Sequence, residues 1–545
     1  MVQSKTLRPD WLPAVALSFT LALALVIWSP PVGDLAAQVF RTELFERAGL
    51  AIWNGSWYGG HYTLTYSVLF PPLAALLGPQ LVGMLSVVSS AYLFDRIVRD
   101  RWGDEARWAT LWFAAGVVTL LADGQLTFAL GVAFALGALR ALQLGWSAVG
   151  LAAAAACALA SPVAGAFLGG VLVAGALERG RRPDPVALGA AALALVLTVA
   201  PNLAFPEPGQ FPFVLSSFVA IPLWCGGALI LTDGLRGEER QLRRAIVGYL
   251  LAATVIFLVP NALGGNAVRL GALFGGPVLA AVLLSRRPRA TVPVWFYGAV
   301  LAVTMVGSLY WQVTASVSQI ARSVGDPSTS AAYFEPAAAW LRAHGAEGRR
   351  IEVPSTANHW EAAYLAPDFD LARGWLRQAD TARDDIFYED GKLTDRTYRS
   401  WLRDNAIAYV ALPDAELDYS SVAERRLILA APPYLRLRHV SQHWRIYQVV
   451  HPKPMVTPLG AAAATPRWVG RQGFALDVTK PGLFLVRVNF TPYWSIQRGS
   501  GCLLRAGGGS GWTLARTLHT GVLRVDADMS LGATWNAVTG ARKTC

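Results

Sequence analysis

Residues 33–73 read GDLAAQVFRTELFERAGLAIWNGSWYGGHYTLTYSVLFPPL, and they connect the first two long apolar segments of the chain. An acidic residue, Asp34, directly follows the first apolar segment. A run with helical periodicity comes next, then a cluster of aromatic residues with one histidine, and then a double proline. This order places a carboxylate and a group of aromatic rings immediately outside a predicted membrane span, and the rest of the sequence is interpreted outward from it.

The composition indicates a membrane protein with a soluble part attached. Of the 545 residues, 54% are hydrophobic and only 15% are charged, whereas soluble domains carry about 25% charged residues. The long apolar runs are confined to residues 11–312, and residues 320–545 resemble an ordinary globular sequence. The formal charge of +11 does not indicate a nucleic-acid-binding protein, because the basic residues form short clusters between apolar runs, as in cytoplasmic loops.

The apolar runs predict eleven membrane spans, since roughly 20 mostly apolar residues cross a bilayer. The first is a span rather than a cleaved signal peptide, because Pro30-Pro31 ends it and no small-residue cleavage site follows. Region 66–95 contains Pro71, Pro72 and Pro79, and we interpret it as one crossing with a broken start. The predicted spans are 11–29, 70–95, 107–122, 125–143, 146–160, 162–177, 186–204, 213–232, 245–260, 268–285 and 292–312.

The distribution of basic residues predicts the orientation. With the N-terminus inside, seventeen Lys and Arg residues fall in inside segments, and the outside loops carry only Arg41, Arg47 and Arg269. This bias is the positive-inside pattern. An odd number of spans then places the C-terminal part outside. We therefore expect a multi-pass protein of the plasma membrane with a cytoplasmic N-terminus and an extracytoplasmic C-terminal domain.

The stretch after the first span predicts a helix and an aromatic surface. Residues 34–50 have apolar side chains at three- and four-residue steps, which is typical of an amphipathic helix lying on a membrane surface. The aromatic section that follows suits stacking on a sugar ring or contact with a lipid head region. The residues that we expect to make such contacts are Trp57, Tyr58, His61 and Tyr62.

This layout resembles the first extracytoplasmic loop of GT-C membrane glycosyltransferases, which transfer a sugar from a polyprenyl-phosphate carrier. The resemblance implies that Asp34 is the catalytic carboxylate. As a general base it would take a proton from an acceptor hydroxyl, which attacks the anomeric carbon. Phosphate leaves from the other face, so the configuration inverts. The alternative role for Asp34 is a helix N-cap, which is compatible with facing a cleft.

A second acidic residue, Asp123, lies in a very short outside turn within apolar sequence. The resemblance implies that it contributes to metal or acceptor binding, and Asp-Gly is also an ordinary turn signal. Because Asp123 is a single residue and not a paired acidic motif, no cofactor is certain. A divalent metal, Mg or Mn, stays open with Asp123 as its one candidate ligand. No spacing of histidines or cysteines forms a metal site.

Arg269 opens a late span and is the one basic residue at an outer span mouth. The resemblance implies that it binds the carrier phosphate. A guanidinium suits this role because it donates two parallel charge-assisted hydrogen bonds. The alternative is a membrane anchor whose charged end reaches the interface.

The sequence predicts three domains. Residues 1–318 form the GT-C-like α-helical polytopic membrane domain, and residues 319–453 form an extracytoplasmic α/β domain, because helix and strand patterns alternate there. Residues 455–466 are predicted as a linker. Residues 467–545 are predicted as a β-sandwich of the carbohydrate-binding-module kind. Cys502 and Cys545 both fall in that last domain, where we predict a disulfide if the compartment is oxidising.

These features predict a membrane glycosyltransferase of the hexosyl or pentosyl type. Its partners would be a polyprenyl-phosphate-linked sugar donor, a glycan or glycolipid acceptor of the cell envelope and the lipid bilayer, with no nucleic acid. Two alternatives stay open: a polytopic transporter or flippase of lipid-linked precursors, and a non-catalytic glycan-binding scaffold. Only the transferase requires the carboxylate of Asp34.

Overall fold

The computed structural model describes residues 10–176, 183–235, 239–286, 292–470, 472–508 and 511–539, and the chain divides into two compact units. The first unit combines residues up to 38 with 66–200 and 210–324. The second combines residues 39–65, 201–209 and everything from 325 onward. The predicted boundary at residue 318 is therefore wrong in two respects. The last long helix of the first unit continues to Ser323, and two N-terminal segments belong to the second unit.

The first unit is built from helices. Pro13 lies in the first turn of the first helix, where proline is tolerated, and the helix ends at Ser29 in a left-handed conformation before Pro30-Pro31. The helices in chain order, with α2 continuing into the second unit, are α1 (Leu12–Trp28), α2 (Gly33–Ala48), α3 (Phe70–Leu77), α4 (Pro79–Trp102), α5 (Arg107–Gly116), α6 (Thr119–Ala122), α7 (Leu126–Gln143), α8 (Ser147–Ala160), α9 (Pro162–Ala176), α10 (Pro185–Ala204), α11 (Leu215–Leu231), α12 (Glu239–Leu258), α13 (Val268–Leu270), α14 (Gly276–Arg286) and α15 (Val294–Ser323).

Six helical segments among the described residues are long and apolar enough to cross a membrane, and the pair α1–α2, bent by 79°, makes a seventh. Three further apolar helices, α8, α9 and α11, have 14, 15 and 17 residues. At about 1.5 Å per residue they are shorter than a bilayer core of about 30 Å. Eleven spans are therefore not confirmed.

Two predicted spans are interrupted. Segment 107–122 is divided into α5 and α6, and neither helix is long enough to cross alone. In region 66–95, Gly78 has φ 85° and separates the eight-residue α3 from the 24-residue α4. Because α3 is too short to cross, this region contains one helix of spanning length.

Helix α2 has the predicted length but not the predicted buried face. Arg41 and Thr42, expected on the polar side, are buried, and Ala48 is exposed. The Arg41 guanidinium lies over the Trp375 ring at 5.6 Å. The ring of Phe40 stacks on Trp57 with 4.1 Å between centroids. The prediction of an apolar face on a membrane surface is wrong for this part of α2, because tertiary contacts bury its polar side chains.

The second unit contains a five-stranded mixed sheet. Its three parallel strands lie together, and two antiparallel strands complete one edge in the order β4-β3-β5-β7-β6. The strand β5 is buried along its whole length. The elements of this part are β1 (Trp53–Asn54), β2 (His61–Tyr62), α16 (Ala331–Ala343), β3 (Arg350–Glu352), α17 (Glu361–Tyr364), β4 (Asp370–Leu371), α18 (Arg377–Arg383), α19 (Asp395–Asp404), β5 (Ile407–Pro413), α20 (Val422–Leu429), β6 (Leu435–Val440) and β7 (Trp444–Val449).

A β-sandwich follows, with sheet orders β12-β15-β10-β9 and β13-β14-β11-β8. It begins at Val456, so the predicted linker at 455–466 is wrong: this stretch pairs with later strands. Trp53, Tyr62 and Phe205 pack in the sandwich core, which explains why their segments belong to this unit. The elements are β8 (Val456–Leu459), β9 (Ala463–Val469), β10 (Gly473–Lys480), β11 (Leu483–Asn489), β12 (Trp494–Arg498), β13 (Gly501–Arg505), β14 (Trp512–Thr517), β15 (Gly521–Ala527) and α21 (Leu531–Thr539).

Candidate functional site

Asp34 is the second residue of α2 and the acidic residue of its first turn. The helix begins directly after Pro30-Pro31, and the Val32 carbonyl accepts a hydrogen bond from the Leu35 amide at 3.1 Å. Asp34 therefore lies inside the first turn and not at the N-cap position. A helix N-terminus carries partial positive charge from its free amide groups, which stabilises a carboxylate there. The side chain is half-buried.

The turn that carries Asp123 packs against this helix start. Gly124 has φ +73°, and a Cβ on it would lie 2.6 Å from the Leu35 nitrogen and 3.2 Å from the Asp34 carbonyl carbon. Any side chain at residue 124 would therefore displace the start of α2. The glycine brings the turn between α6 and α7 into direct contact with the first turn of α2, and so brings Asp34 and Asp123 together.

Asp123 is buried, with 6% of its surface exposed. Gln125 Nε2 lies 3.5 Å from its Oδ2, and its buried Oδ1 has no hydrogen-bond partner among the described residues. Burial and the charge of Asp34 raise the pKa of Asp123 to about 7, against the opposing effects of Ser316 and Arg269. A carboxyl group with a pKa near physiological pH can both accept and donate a proton.

Arg269 lies in α13, between a 3₁₀ turn and the π-helical turn Gly271–Gly275. Its guanidinium lies 5.3 Å from the centroid of the Phe128 ring. Phe128 is in the first turn of α7, which follows the Asp123 turn, and the charge of Arg269 opposes the rise in the pKa of Asp123. Single-turn π-helices are frequent at functional sites. Arg269 therefore belongs to the same cluster as Asp123.

The first unit thus brings together the three charged residues that the sequence singled out from separate segments. One carboxylate lies at a helix N-terminus, the other in a buried turn, and one cation lies beside them. Among the described residues, no group of three or more His, Cys, Asp or Glu is arranged to hold a metal ion. Two carboxylates would bind Mg only with further oxygen ligands, such as those of a phosphate.

Comparisons with protein-family models and with curated proteins give no match. Solved structures do match. A single-particle cryo-EM structure of a mutant of the arabinofuranosyltransferase AftD from Mycobacteria has a TM-score of 0.50 and 20% identity, over 82% of this chain and 42% of that chain. Another AftD structure has a TM-score of 0.48 and 18% identity, over 82% and 40% of the two chains. At this identity the likeness is one of fold alone. It spans about two fifths of the length of the solved structures that it matches.

The aromatic residues that the sequence singled out belong to the second unit. Trp57 and His61 are buried in the second unit, with their rings stacked at 5.1 Å, and Trp57 Nε1 donates to the Ala362 carbonyl at 3.2 Å. Burial, followed by the charges of Arg41 and Arg383, lowers the pKa of His61 to about 3. Both rings are enclosed by protein, and contact of Trp57 and His61 with a sugar or lipid stays a prediction.

Tyr58 and Tyr62 are buried as well, and both reach the wall of a cavity in the second unit. The Tyr58 hydroxyl donates to the Leu376 carbonyl at 3.1 Å, and the Tyr62 hydroxyl lies 2.9 Å from the Thr491 hydroxyl oxygen. Their contact with a ligand stays a prediction.

The predicted disulfide cannot be followed to both ends, because Cys545 lies outside the described residues. Cys502 lies on β13 and is half-buried. Sequence reasoning also missed two neighbours of the charged cluster: Ser316 on α15, whose hydrogen bond opposes the rise in the pKa of Asp123, and Phe128, which contacts Arg269. Neither has a sequence signal: Phe128 lies within an apolar run, and Ser316 lies just beyond the last one.

Proposed function

We propose that this protein is a membrane glycosyltransferase of the GT-C type. It transfers a pentose or hexose from a polyprenyl-phosphate donor to a glycan or glycolipid of the cell envelope. The observation that carries the proposal is the meeting of Asp34, Asp123 and Arg269 in one cluster, since an acid–base pair beside a cation suits a reaction that moves a proton and releases a phosphate. The likeness of fold to AftD supports the same activity.

In the proposed reaction, the Asp34 carboxylate takes the proton of an acceptor hydroxyl. The hydroxyl oxygen then forms a bond to the anomeric carbon while the bond from that carbon to the phosphate oxygen breaks. The phosphate leaves with the bonding electrons and so gains a second negative charge, which Arg269 stabilises. Attack opposite the leaving group inverts the configuration. Asp123 would hold the acceptor or a divalent ion, and such an ion would supply positive charge to the leaving phosphate.

The proposed orientation follows the distribution of positive charge. The N-terminus lies in the cytoplasm, and the second unit lies outside the cell, where envelope glycans are found. A reporter fused to the C-terminus that is active only in the cytoplasm would contradict this orientation.

Asp34→Asn tests the proposal. The amide keeps the shape of the side chain but cannot accept a proton at neutral pH, so we expect the transfer rate to fall about 10²–10⁴-fold with donor binding unchanged. The assay follows labelled sugar from polyprenyl-phosphate-linked pentose and hexose donors into envelope acceptors, with the full chain in proteoliposomes.

Glu43→Gln is the matched control. It makes the same chemical change on the same helix, but Glu43 is paired with Arg47 at 3.1 Å and both side chains are exposed. We expect this variant to keep its activity. Full transfer by Asp34→Asn would show that Asp34 is not the base, and the transporter and scaffold alternatives would then be favoured.

A further inference from the structure

The second unit contains a cavity of about 1340 Å³ that does not include the charged cluster of the first unit. We call it the inner cavity. It exceeds the roughly 300–1,000 Å³ that is usual for a site binding one small molecule. Its wall combines four cations with aromatic rings, a pairing suited to a ligand that has both anionic groups and apolar faces. The residues that carry the argument are Arg383, Lys453, Arg487, Arg505, Phe490 and Trp512.

Two of the four cations have no carboxylate partner among the described residues. Arg383 pairs with Glu207 at 3.1 Å, and Lys453 pairs with Asp404. Arg487, only 5% exposed, donates to the neutral oxygens of Pro454 and Thr457. Arg505 lies over the Phe490 ring at 5.7 Å. A buried guanidinium without a counter-charge is costly, and an anion in the cavity would offset that cost.

Three residues of the same wall also carry a buried N–H group that does not face the cavity. Trp53 Nε1, Arg383 Nε and Arg487 Nε are buried without partners in the described part of the chain. Buried polar groups are normally satisfied, but these three have almost no exposed surface, so the argument for a ligand rests on the cations and the aromatic rings. Asp384, also in the wall, has an unpaired Oδ2. Burial, followed by the charge of Asp380, raises the pKa of Asp384, which favours its protonated, donating form.

A second cavity, of about 320 Å³, lies along α19, and we call it the basic groove. Arg396, Arg399 and Arg403 line it at steps of three and four residues, and all three are exposed. Like charges at this spacing destabilise a helix. None of the three forms an ion pair with a described carboxylate, and the one acidic residue of the groove, Asp404, is bound by Lys453.

The two cavities share Asp404 and Lys453 in their walls, so they adjoin at this ion pair. We propose that the inner cavity and the basic groove together bind one saccharide chain that carries phosphate, sulfate or carboxylate groups. The aromatic rings contact the sugar faces, and the unpaired cations bind the anionic groups. This assigns a second ligand site beyond the proposed transferase reaction, and none of Asp34, Asp123 and Arg269 takes part in it.

The test measures the binding of two probes to the full chain in detergent: a sulfated dextran oligomer and the unsulfated oligomer of the same length. The variant Arg399→Gln/Arg403→Gln removes two charges from the basic groove. The control Arg498→Gln/Arg516→Gln removes two charges from exposed sandwich positions that line neither cavity. We expect the groove variant to bind the sulfated probe at least about tenfold more weakly, since each charge-assisted contact contributes more than a typical neutral one.

The control pair should bind the sulfated probe as the wild type does, and added salt should weaken wild-type binding. Arg505→Gln, which removes a charge from the inner cavity, should also weaken binding of the sulfated probe. Equal losses in both double variants, or no wild-type binding, would overturn the proposal. So would a groove variant that binds anionic lipid vesicles more weakly but the sulfated probe equally well, because the groove would then contact a membrane. Asp34→Asn should bind the probe normally, which separates this outcome from the transferase activity.

Discussion

Two aspartates at helix ends, the buried Asp123 in the first unit and the largely buried Asp418 in the second, have opposite surroundings. Asp418 accepts two hydrogen bonds from Arg377, at 2.9 and 2.7 Å, and two from Ser420, at 3.0 and 2.7 Å, and His359 lies within 3.5 Å. Asp123 has Gln125 at 3.5 Å, and one buried oxygen without a partner in the described chain.

The pKa values separate the two residues in the same way. Although burial acts to raise it, hydrogen bonds from His359 and Arg377 hold the pKa of Asp418 well below its usual range. For Asp123, burial dominates and raises the pKa to about 7. A carboxylate that accepts several hydrogen bonds from cations stays ionised and stabilises the structure around it. A buried carboxylate with few hydrogen-bond donors has a raised pKa and can take up a proton. Burial of an acidic residue therefore does not identify a site, and the number of its hydrogen-bond donors does.

The largest expected effect is on stability at Asp418. Arg377→Met should destabilise the folded chain by about 3–5 kcal/mol, because it leaves a largely buried carboxylate without its guanidinium. Thermal unfolding in detergent measures this change. Arg467→Met is the matched control, since Arg467 donates to Asp477 at 2.7 Å but both side chains are exposed. Its effect should stay below about 1 kcal/mol. Equal losses of stability in Arg377→Met and Arg467→Met would show that the Asp418 ion pair contributes no more than an exposed one.

At Asp123 we expect a substitution to stabilise the folded chain rather than destabilise it. Its folded pKa of about 7 lies above the usual 3.8, so the folded state loses stability as pH rises from about 4 to 7. Asp123→Asn should remove this loss and stabilise the chain at pH 8 by up to about 4 kcal/mol, at roughly 1.4 kcal/mol per pKa unit. Comparing unfolding temperatures at pH 5 and pH 8 tests this.

The same variant also bears on the reaction. Asp123→Asn should reduce transfer less than Asp34→Asn does, unless a divalent ion is required. Sensitivity of the wild-type transfer to a chelator would identify that requirement. A variant that is less stable at pH 8 than the wild type would show that Asp123 is held as Asp418 is.

The sequence predicted the helices of the first unit well, because each apolar run is long and uniform. It could not predict that segment 107–122 breaks after Gly116, since its hydropathy continues through the break. Asp34, Asp123 and Arg269 were found through a resemblance to a family, and their meeting depends on the contact of Gly124 with the start of α2.

The burial of Trp57 and His61 had no sequence signal. Both are enclosed by residues such as Ala362 and Leu371, some 300 positions later in the chain. The start of the sandwich at Val456 could not be predicted for a related reason. The prolines and small residues of this stretch are typical of a linker, and β8 forms only by pairing with β11, which is later in the chain. Local patterns thus identified the elements but not the long-range contacts that decide their buried faces.

The smallest effect concerns Arg269, whose guanidinium lies 5.3 Å from the centroid of the Phe128 ring. If it binds the carrier phosphate, Arg269→Ala should weaken donor affinity by the loss of a charge-assisted contact of about 1.5–3 kcal/mol, with little change in stability. Arg269→Lys keeps the charge but loses the two parallel hydrogen bonds, so its affinity should fall between those of alanine and wild type. Titration of the full chain with a polyprenyl phosphate measures all three. If Arg269 is only an anchor at the membrane interface, lysine would replace it fully and alanine would leave donor affinity unchanged. Either result would show that Arg269 does not bind the donor, and the proposed site would then consist of Asp34 and Asp123.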